Sequence, residues 1–194
     1  IGADGLVIIN PRDVQNNTDI AWRIFNSDGT EPEMCGNAIR CFAKYVYDKK
    51  LIDKKEFTVW TLAGTIIPKI TDDGLVTVNM GSPVLNPSEV PIKYDKDKVI
   101  NEPINVLEKE FFINAVSMGN PHCIIFTEED IEPTKYGPIL EKHPLFPQKT
   151  NVEFVKVLTQ EHIKVDVWER GCGITLACGT GACACVVAAV LNNK

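Results

Sequence analysis

The stretch GCGITLACGTGACA, residues 171–184, contains three cysteines and four glycines and leads directly into an apolar helical pattern. A shorter stretch of the same kind, EMCGNAIRC, occupies residues 33–41. In both, a Cys-Gly pair stands where a helix is predicted to begin, at Cys35-Gly36 and at Cys178-Gly179. The two pairs lie 143 positions apart. This spacing predicts a chain built from two similar units, each with its own helix.

Short alternating segments predict strands on both sides of the first helix. The predicted strands are Ile20 to Phe25 and residues 57–62, 65–70 and 75–80, the last two joined as a hairpin by the turn TDDG. The helix is predicted from Gly36 to about Lys49. Pro68 predicts that its strand lies at a sheet edge or carries a bulge, because proline cannot donate to the ladder.

The second half of the chain repeats this order. Predicted strands cover residues 110–118, 122–127, 151–158 and 162–168, and the last helix begins near Gly179. This helix is apolar on every side, which predicts that other structure surrounds it. The segment from Gly81 to Pro103 is proline-rich and irregular. We therefore expect a domain boundary at its start, with domains at residues 1–79 and 80–194.

Composition argues against several classes of function. The 194-residue chain has a net charge of −6 and no basic run, so no nucleic-acid partner is expected. Its longest apolar run, Ala182 to Leu191, has ten residues and is too short to span a bilayer, so no membrane partner is expected. The seven cysteines cannot all pair within one chain, which predicts a reducing, cytoplasmic location. Their spacings match no common zinc pattern, and no metal site is predicted.

A cysteine just before a helix lies beside unpaired N–H groups and the positive end of the helix dipole, which lower the pKa of its thiol. The same helix start can hold a carboxylate. Two such starts could hold one carboxylate between them, with a sulfur atom on each face of its α-carbon. This arrangement suits proton transfer at a stereocentre, in which a thiolate removes the α-proton and a thiol returns one to the opposite face. Neither pyridoxal phosphate (PLP) nor a metal is then required.

Three segments, FNSDGTEPEMCGNAIRC (25–41), SMGNPHC (117–123) and WERGCGITLACGTGACA (168–184), resemble the signature segments of diaminopimelate epimerases, a family of PLP-independent amino-acid racemases. The resemblance implies a mixed α/β (α+β) fold of two pseudo-symmetric domains, each a curled mixed sheet around a central helix, with the active site in the cleft between them. The implied reaction is the interconversion of LL- and meso-diaminopimelate, in lysine and peptidoglycan-precursor synthesis, without a cofactor. Diaminopimelate would be the small-molecule partner, and a homodimer is the assembly considered.

The resemblance also implies roles for individual residues. Cys35 and Cys178 would be the two catalytic acid–base residues. Substrate contacts are implied at the reacting carboxylate for Gly36, Asn37, Gly179 and Thr180, and at the distal end for Asn26, Asn120, Asn151 and Arg170. Glu169 would meet the reacting ammonium, and Glu169 and His122 would set the pKa values of the thiols. Core packing is predicted for the other cysteines, Cys41, Cys123, Cys172, Cys183 and Cys185.

The chain departs from the family pattern in two ways. It begins after a histidine-glycine-asparagine segment of the family and stops before the strands that follow the last helix there, so it lacks the usual ends. Ile174 stands where many members have Glu, and Gly5 where some have Gln. Both positions bear on specificity rather than on the reaction.

Three other interpretations of the residues stay open. A related proline racemase or hydroxyproline epimerase would share the two thiols, whereas Asn26, Asn151 and Arg170 favour a substrate with two amino-acid ends. A cysteine hydrolase would use Cys35 or Cys178 with His122 and form an acyl intermediate. A catalytically silent ligand-binding or folding fragment would show no exchange of an α-proton.

Overall fold

The computed structural model describes residues 3, 5–10 and 15–194. The chain divides into two compact units, Ile1–Gly81 and Ser82–Lys194. Among the described strands, each unit contains one sheet in which one neighbouring pair is parallel and the others are antiparallel. The predicted mixed α/β class with two units is confirmed.

The first unit contains a five-stranded sheet and one helix. Its strands are β1 (Gly5–Ile9), β2 (Ile20–Asn26), β3 (Val59–Thr61), β4 (Gly64–Ile70) and β5 (Val76–Asn79), in the order β1-β2-β3-β4-β5. The helix α1 (Gly36–Asp48) connects β2 to β3, and this crossover allows the two strands to run parallel. The predicted hairpin between β4 and β5 is confirmed.

One face of α1 forms the core of the first unit. Ile39, Phe42, Ala43 and Val46 are buried at helical spacing, and α1 packs against β4 and β5. Full burial of an isoleucine, phenylalanine or valine side chain stabilises a fold by about 1.5–3 kcal/mol relative to leaving it exposed. Because these positions point inward, Cys41 points outward and is exposed. The prediction that Cys41 is packed in the core is wrong.

The second unit contains a six-stranded sheet and two helices. Its strands are β6 (Glu102–Val106), β7 (Lys109–Ser117), β8 (Pro121–Phe126), β9 (Asn151–Thr159), β10 (His162–Glu169) and β11 (Gly173–Ile174), in the order β11-β10-β9-β8-β7-β6. Its helices are α2 (Pro133–Glu141) and α3 (Gly179–Leu191). β8 and β9 are the parallel pair, connected through α2.

The two helices of the second unit cover different residues of β9. Val152 and Phe154 belong to the same buried cluster as Tyr136 and Leu140 of α2. Glu153 points to the other face, because neighbouring side chains of a strand alternate, and it lies beside Gly181 of α3. Burial on both faces explains why the run NVEFV is apolar with one glutamate in its middle.

Prolines occur in three described strands, and the one for which a prediction was made, Pro68, differs from it. Pro68 lies in β4, between β3 and β5, so the prediction of an edge strand or a bulge is wrong. One hydrogen bond between neighbouring segments is therefore missing at Pro68. The amide of Phe57 donates to the Pro68 carbonyl at 3.4 Å, but Pro68 has no N–H with which to donate to Phe57. Pro103 does lie in an edge strand, β6.

The sequence did not predict β6, α2 or the short strand β11. β6 falls at the end of the segment expected to be irregular, and α2 falls in a stretch rich in turn residues, with Pro133, Gly137 and Pro138. Proline is tolerated in the first helical turn, where its missing N–H would have no partner. The buried side chains of Tyr136 and Leu140 then hold the helix against the sheet despite Pro138.

The last helix is only partly covered. α3 packs against β7, β8 and β9 through Ala184, Cys185 and Ala188, whereas Val186 and Val190 are 55% and 70% exposed. Within the described residues, the prediction of a helix surrounded on every side is therefore wrong. No helix in the described part of the chain combines the length and apolarity needed to cross a membrane.

Candidate active site

Cys35 occupies the N-cap position of α1. Its backbone is extended, with φ −139° and ψ 113°, and its carbonyl accepts the first helical hydrogen bond from Ile39 at 3.0 Å. Gly36 and Asn37 form the first turn, and the Asn37 carboxamide oxygen accepts a hydrogen bond from Arg40 at 2.5 Å. The sequence therefore places the thiol at a helix start as predicted, beside the N–H groups of the first turn.

Asn26 lies at the end of β2, where the chain turns before α1. Its side-chain amide donates to the Thr30 hydroxyl at 3.1 Å, and its backbone N–H donates to the Thr30 carbonyl at 2.8 Å. These contacts close the turn NSDG. At Gly5, where some family members carry Gln, an added Cβ would lie 2.8 Å from the Phe25 carbonyl oxygen, so a larger residue requires a shift of β1.

Cys178 occupies the corresponding N-cap position of α3. Its backbone has φ −118° and ψ 114°, and its Sγ accepts a hydrogen bond from the Gly181 N–H at 3.3 Å. The Thr180 hydroxyl lies 3.3 Å from the same sulfur. Gly179 and Thr180 form the first turn, and Thr180 is buried. The thiol therefore lies among the N–H donors that would stabilise a thiolate or a bound carboxylate.

A buried hydrogen-bond network leads from Cys178 into the sheet. The Asn120 amide donates to the Thr180 hydroxyl at 3.2 Å, and the Asn120 carboxamide oxygen lies 3.0 Å from Nε2 of His122. Nδ1 of His122 lies 2.6 Å from Oε1 of Glu153. His122 and Glu153 are both fully buried. The side chain of His122 is therefore enclosed within the second unit, and its two ring nitrogens face Asn120 and Glu153.

Glu169, at the end of β10, completes the surroundings of Cys178. Burial raises the pKa of its carboxyl group, and hydrogen bonds with Thr175 and Cys178 partly oppose this shift. Burial, followed by the carboxylates of Glu153 and Glu169, raises the pKa of the Cys178 thiol. The lowered pKa expected at a helix start is therefore wrong for this cysteine. The donors of α3 are outweighed by desolvation and by two acidic neighbours.

Asn151 connects the site to the segment that carries Arg170. Its carboxamide oxygen accepts the Arg170 N–H at 2.9 Å, and its amide donates to the Pro121 carbonyl at 2.9 Å. The Arg170 guanidinium donates to the Gln148 carbonyl at 3.2 Å. Asn151 is buried, so its contacts in this structure hold the β10 end and the β8 start together.

Glu141 of α2 holds the same segment from the other side. Its carboxylate accepts the Trp168 indole N–H at 2.8 Å and the Gly171 N–H at 3.3 Å. The Trp168 ring packs directly over Gly137. A helix that the sequence did not predict therefore positions the turn that presents Glu169 and Arg170.

One group of possible metal ligands occurs in the described part of the chain: His122, Glu153 and Cys178, whose ligand atoms lie within 4.8 Å of one another. A tetrahedral zinc ion with bonds of about 2.1 Å would separate the histidine and carboxylate ligand atoms by roughly 3.4 Å. These atoms are 2.6 Å apart. They are arranged as a hydrogen-bonded pair and not around an ion.

Several predicted residues are brought together within each unit. In the second unit, Cys178, Thr180, Asn120, His122 and Glu169 share one cluster; in the first, Cys35, Gly36 and Asn37 share the start of α1. The sequence analysis missed Glu153, Glu141 and Gly137. A charged residue inside the apolar run NVEFV was a signal for Glu153, because a glutamate in a buried strand needs a partner.

Solved structures with a similar fold define the structural class. A hydroxyproline epimerase from Agrobacterium vitis, solved with trans-4-OH-L-proline, has a TM-score of 0.71 and 15% identity over 97% of this chain and 60% of that chain. A PhzF-family phenazine biosynthesis protein from Bacillus anthracis has a TM-score of 0.58 and 13% identity over 96% of this chain and 66% of that chain. The fold is thus the one shared by epimerases, racemases and PhzF-family proteins.

Sequence similarity identifies the family within that class. The family model of diaminopimelate epimerase matches residues 1–86 and 114–194. The diaminopimelate epimerase of Carboxydothermus hydrogenoformans is 54% identical over 97% of this chain and 68% of its own length, and that of Pelotomaculum thermopropionicum is 52% identical over 100% of this chain and 70% of its own length. The chain belongs to the diaminopimelate epimerase family.

Proposed function

We propose that this chain epimerises LL-diaminopimelate to meso-diaminopimelate with two cysteines and no cofactor. Membership of the family supports the substrate and the reaction. The observation that carries the mechanism is that Cys35 and Cys178 are both N-cap residues, each followed by a glycine and a capping residue. We take the two units as epimerase-like domains, and each of them supplies one thiol.

In the proposed mechanism the two sulfur atoms act on opposite faces of one α-carbon. In one direction of the reaction the Cys35 thiolate removes the α-proton, and the Cys178 thiol returns a proton to the other face. The N–H groups of α1 and α3 hold the reacting carboxylate and stabilise the charge that develops beside it. This direction ends with a Cys35 thiol and a Cys178 thiolate, so the opposite direction starts from these protonation states.

The raised pKa of Cys178 fits its role as the acid in the empty enzyme. Glu169 would bind the reacting ammonium. Since that cation cancels the charge of Glu169, binding would lower the pKa of Cys178 and prepare it to exchange protons. The thiol would therefore become reactive only when substrate is present.

We further propose that the distal amino-acid end binds near Asn26, Asn120, Asn151 and Arg170. Arginine can grip a carboxylate with two parallel hydrogen bonds, and Arg170 lies next to Glu169 in the segment that Asn151 and Glu141 hold. A cytoplasmic location and a homodimer are part of the same proposal.

The cysteine-hydrolase alternative has weaker support. A hydrolase requires a histidine nitrogen bonded to the nucleophilic sulfur. Here Nδ1 of His122 faces Glu153 and Nε2 faces Asn120. The solved hydroxyproline epimerase and probable proline racemase share the fold at 15% and 14% identity, whereas the diaminopimelate epimerases share about half of the residues.

The proposal is tested by α-proton exchange of LL-diaminopimelate in deuterated buffer, followed by NMR. We expect deuterium incorporation and meso product with the wild-type chain. Cys35→Ser and Cys178→Ser should each lower the rate by roughly 100- to 10,000-fold, because a serine hydroxyl is a far weaker acid–base group at neutral pH.

Cys41→Ser is the matched control, since Cys41 lies in α1 but on its exposed face. It should retain the wild-type rate. If the chain exchanges the α-proton of proline but not that of diaminopimelate, proline replaces diaminopimelate as the proposed substrate. A folded, reduced chain that exchanges neither would contradict the proposed activity for this chain.

A further inference from the structure

Glu153 is a fully buried carboxylate that the proposed mechanism does not use. It lies in the middle of β9 and faces α3. Its Oε1 contacts His122, and among the described residues its Oε2 has no hydrogen-bond partner. A buried carboxylate with one partner is costly, so its presence calls for a physical reason.

The hydrogen-bond network fixes the tautomer of His122. Because the Asn120 amide donates to Thr180, its carboxamide oxygen must accept a proton from Nε2 of His122. One further proton then lies between Nδ1 of His122 and Oε1 of Glu153, which are 2.6 Å apart. The pair is neutral as a whole, wherever that proton resides.

Glu153 is also packed against the start of α3. A Cβ added to Gly181 would lie 2.6 Å from Oε1 of Glu153 and 3.2 Å from the Cys178 sulfur. The carboxylate and the thiol therefore approach the same backbone position. Only glycine leaves room for both.

We propose that Glu153 is a positioning residue for the reaction at Cys178. It fixes the His122 ring and shares the Nδ1 proton with it, so that the pair carries no net charge and Cys178 stays a thiol before substrate binds. This inference rests on the acid–base role proposed above for Cys178. Without Glu153, His122 could take up a proton and form an ion pair with a Cys178 thiolate. The enzyme would then start from the wrong protonation state for its role as acid.

The other groups around Cys178 do not replace Glu153. Glu169 approaches from β10 and is available to the substrate ammonium, and His122 approaches from β8. The uncharged Asn114 of β7 binds Asn192 at the opposite end of α3. Within α3, Cys185 is buried, and burial raises the pKa of its thiol. Glu153 is thus the fixed acidic group of the site, whatever the substrate does.

The test measures alkylation of Cys178 by iodoacetamide as a function of pH, without substrate, by mass spectrometry of the peptide that contains it. Glu153→Gln keeps the shape of the side chain and removes its charge. We expect the Cys178 profile to move to lower pH, with a rate at pH 8 that rises about tenfold, because a His122 cation that Glu153 no longer neutralises favours the Cys178 thiolate. Alkylation of Cys41 in the same sample serves as the internal reference.

Glu141→Gln is the matched control variant, because Glu141 is also a buried glutamate of the second unit but contacts Trp168 and Gly171. It should leave the Cys178 profile unchanged. If both variants move the profile equally, a general loss of structure explains it and the inference is overturned. An unchanged profile in folded Glu153→Gln overturns it as well.

Two further readouts complete the test. In the wild-type chain the His122 Nδ1 proton should give a proton resonance far downfield of the amides. Its absence contradicts the shared proton even if Glu153→Gln does not fold. A shifted alkylation profile in a chain that exchanges no α-proton supports the role of Glu153 and rejects the proposed function. Exchange of the α-proton together with an unshifted Cys178 alkylation profile supports the proposed function and rejects the role of Glu153.

Discussion

The carboxyl group of Glu169 is partly buried beside Cys178, and burial raises its pKa. Between the unfolded and the folded pKa, the native state binds more protons than the unfolded state. The stability that Glu169 contributes is therefore fully present below its unfolded pKa of about 4.3 and is lost as the pH rises. At neutral pH the Glu169 carboxyl group is ionised, although its burial in the fold favours the protonated form.

We expect Glu169→Gln to increase the free energy of unfolding at pH 7–8 and to lower the exchange rate by roughly 100-fold, as for loss of one acid–base partner. The gain in stability should shrink as the pH falls toward 4. Urea unfolding at several pH values measures it. Glu161→Gln, at an exposed turn, is the control and should show no such trend. A gain in the free energy of unfolding that does not change with pH would contradict a raised pKa of Glu169.

At the scale of elements, α2 and the end of β10 depend on each other through Gly137. A Cβ at this position would lie 2.6–2.8 Å from the Trp168 side chain. Alanine is favoured over glycine in a helix by up to about 1 kcal/mol. Overpacking typically costs about 1–3 kcal/mol, so the clash should outweigh the gain in helix propensity.

We therefore expect Gly137→Ala to lower the free energy of unfolding by about 1–2 kcal/mol and to reduce substrate affinity, because Trp168 precedes Glu169 and Arg170. Thermal unfolding and the KM for diaminopimelate measure the two effects. Thr134→Ala, at an exposed position of the same helix, should change neither by much. An equal or higher unfolding temperature for Gly137→Ala would show that Trp168 moves aside freely.

At the scale of the whole molecule, the proposed mechanism requires both catalytic sulfur atoms at one carbon atom. Two thiols that can meet at such a distance can also form a disulfide. We expect mild oxidant to inactivate the substrate-free chain, with a Cys35–Cys178 crosslink in the peptide map and full recovery with reductant. Bound diaminopimelate should protect the enzyme.

Cys41→Ser should oxidise in the same way as the wild-type chain, since its exposed thiol is outside the mechanism. Cys35→Ser should form no such crosslink. The thiols must first be shown to be reduced. If oxidant then leaves the activity unchanged, this counts against Cys35 and Cys178 acting on the same carbon atom.

Local sequence signals predicted where both cysteine-bearing helices begin. Glycine after each cysteine, capping residues and the onset of an apolar pattern are local features, and α1 and α3 begin at Gly36 and Gly179 as expected. Period-two patterns likewise predicted the hairpin β4–β5 and the strands β9 and β10. These elements could be predicted because neighbouring residues in sequence are sufficient to specify them.

The tertiary structure alone decided the rest. α2 forms against its own proline and glycine signals because Tyr136 and Leu140 are buried on the sheet. The partners of Glu153, Glu141 and Asn151 come from strands and helices distant in sequence. The pKa of Cys178 rises although its helix start favours the thiolate, because burial and two distant carboxylates outweigh the local donors. A local pattern specifies where a helix begins, whereas long-range packing decides what surrounds its first residue.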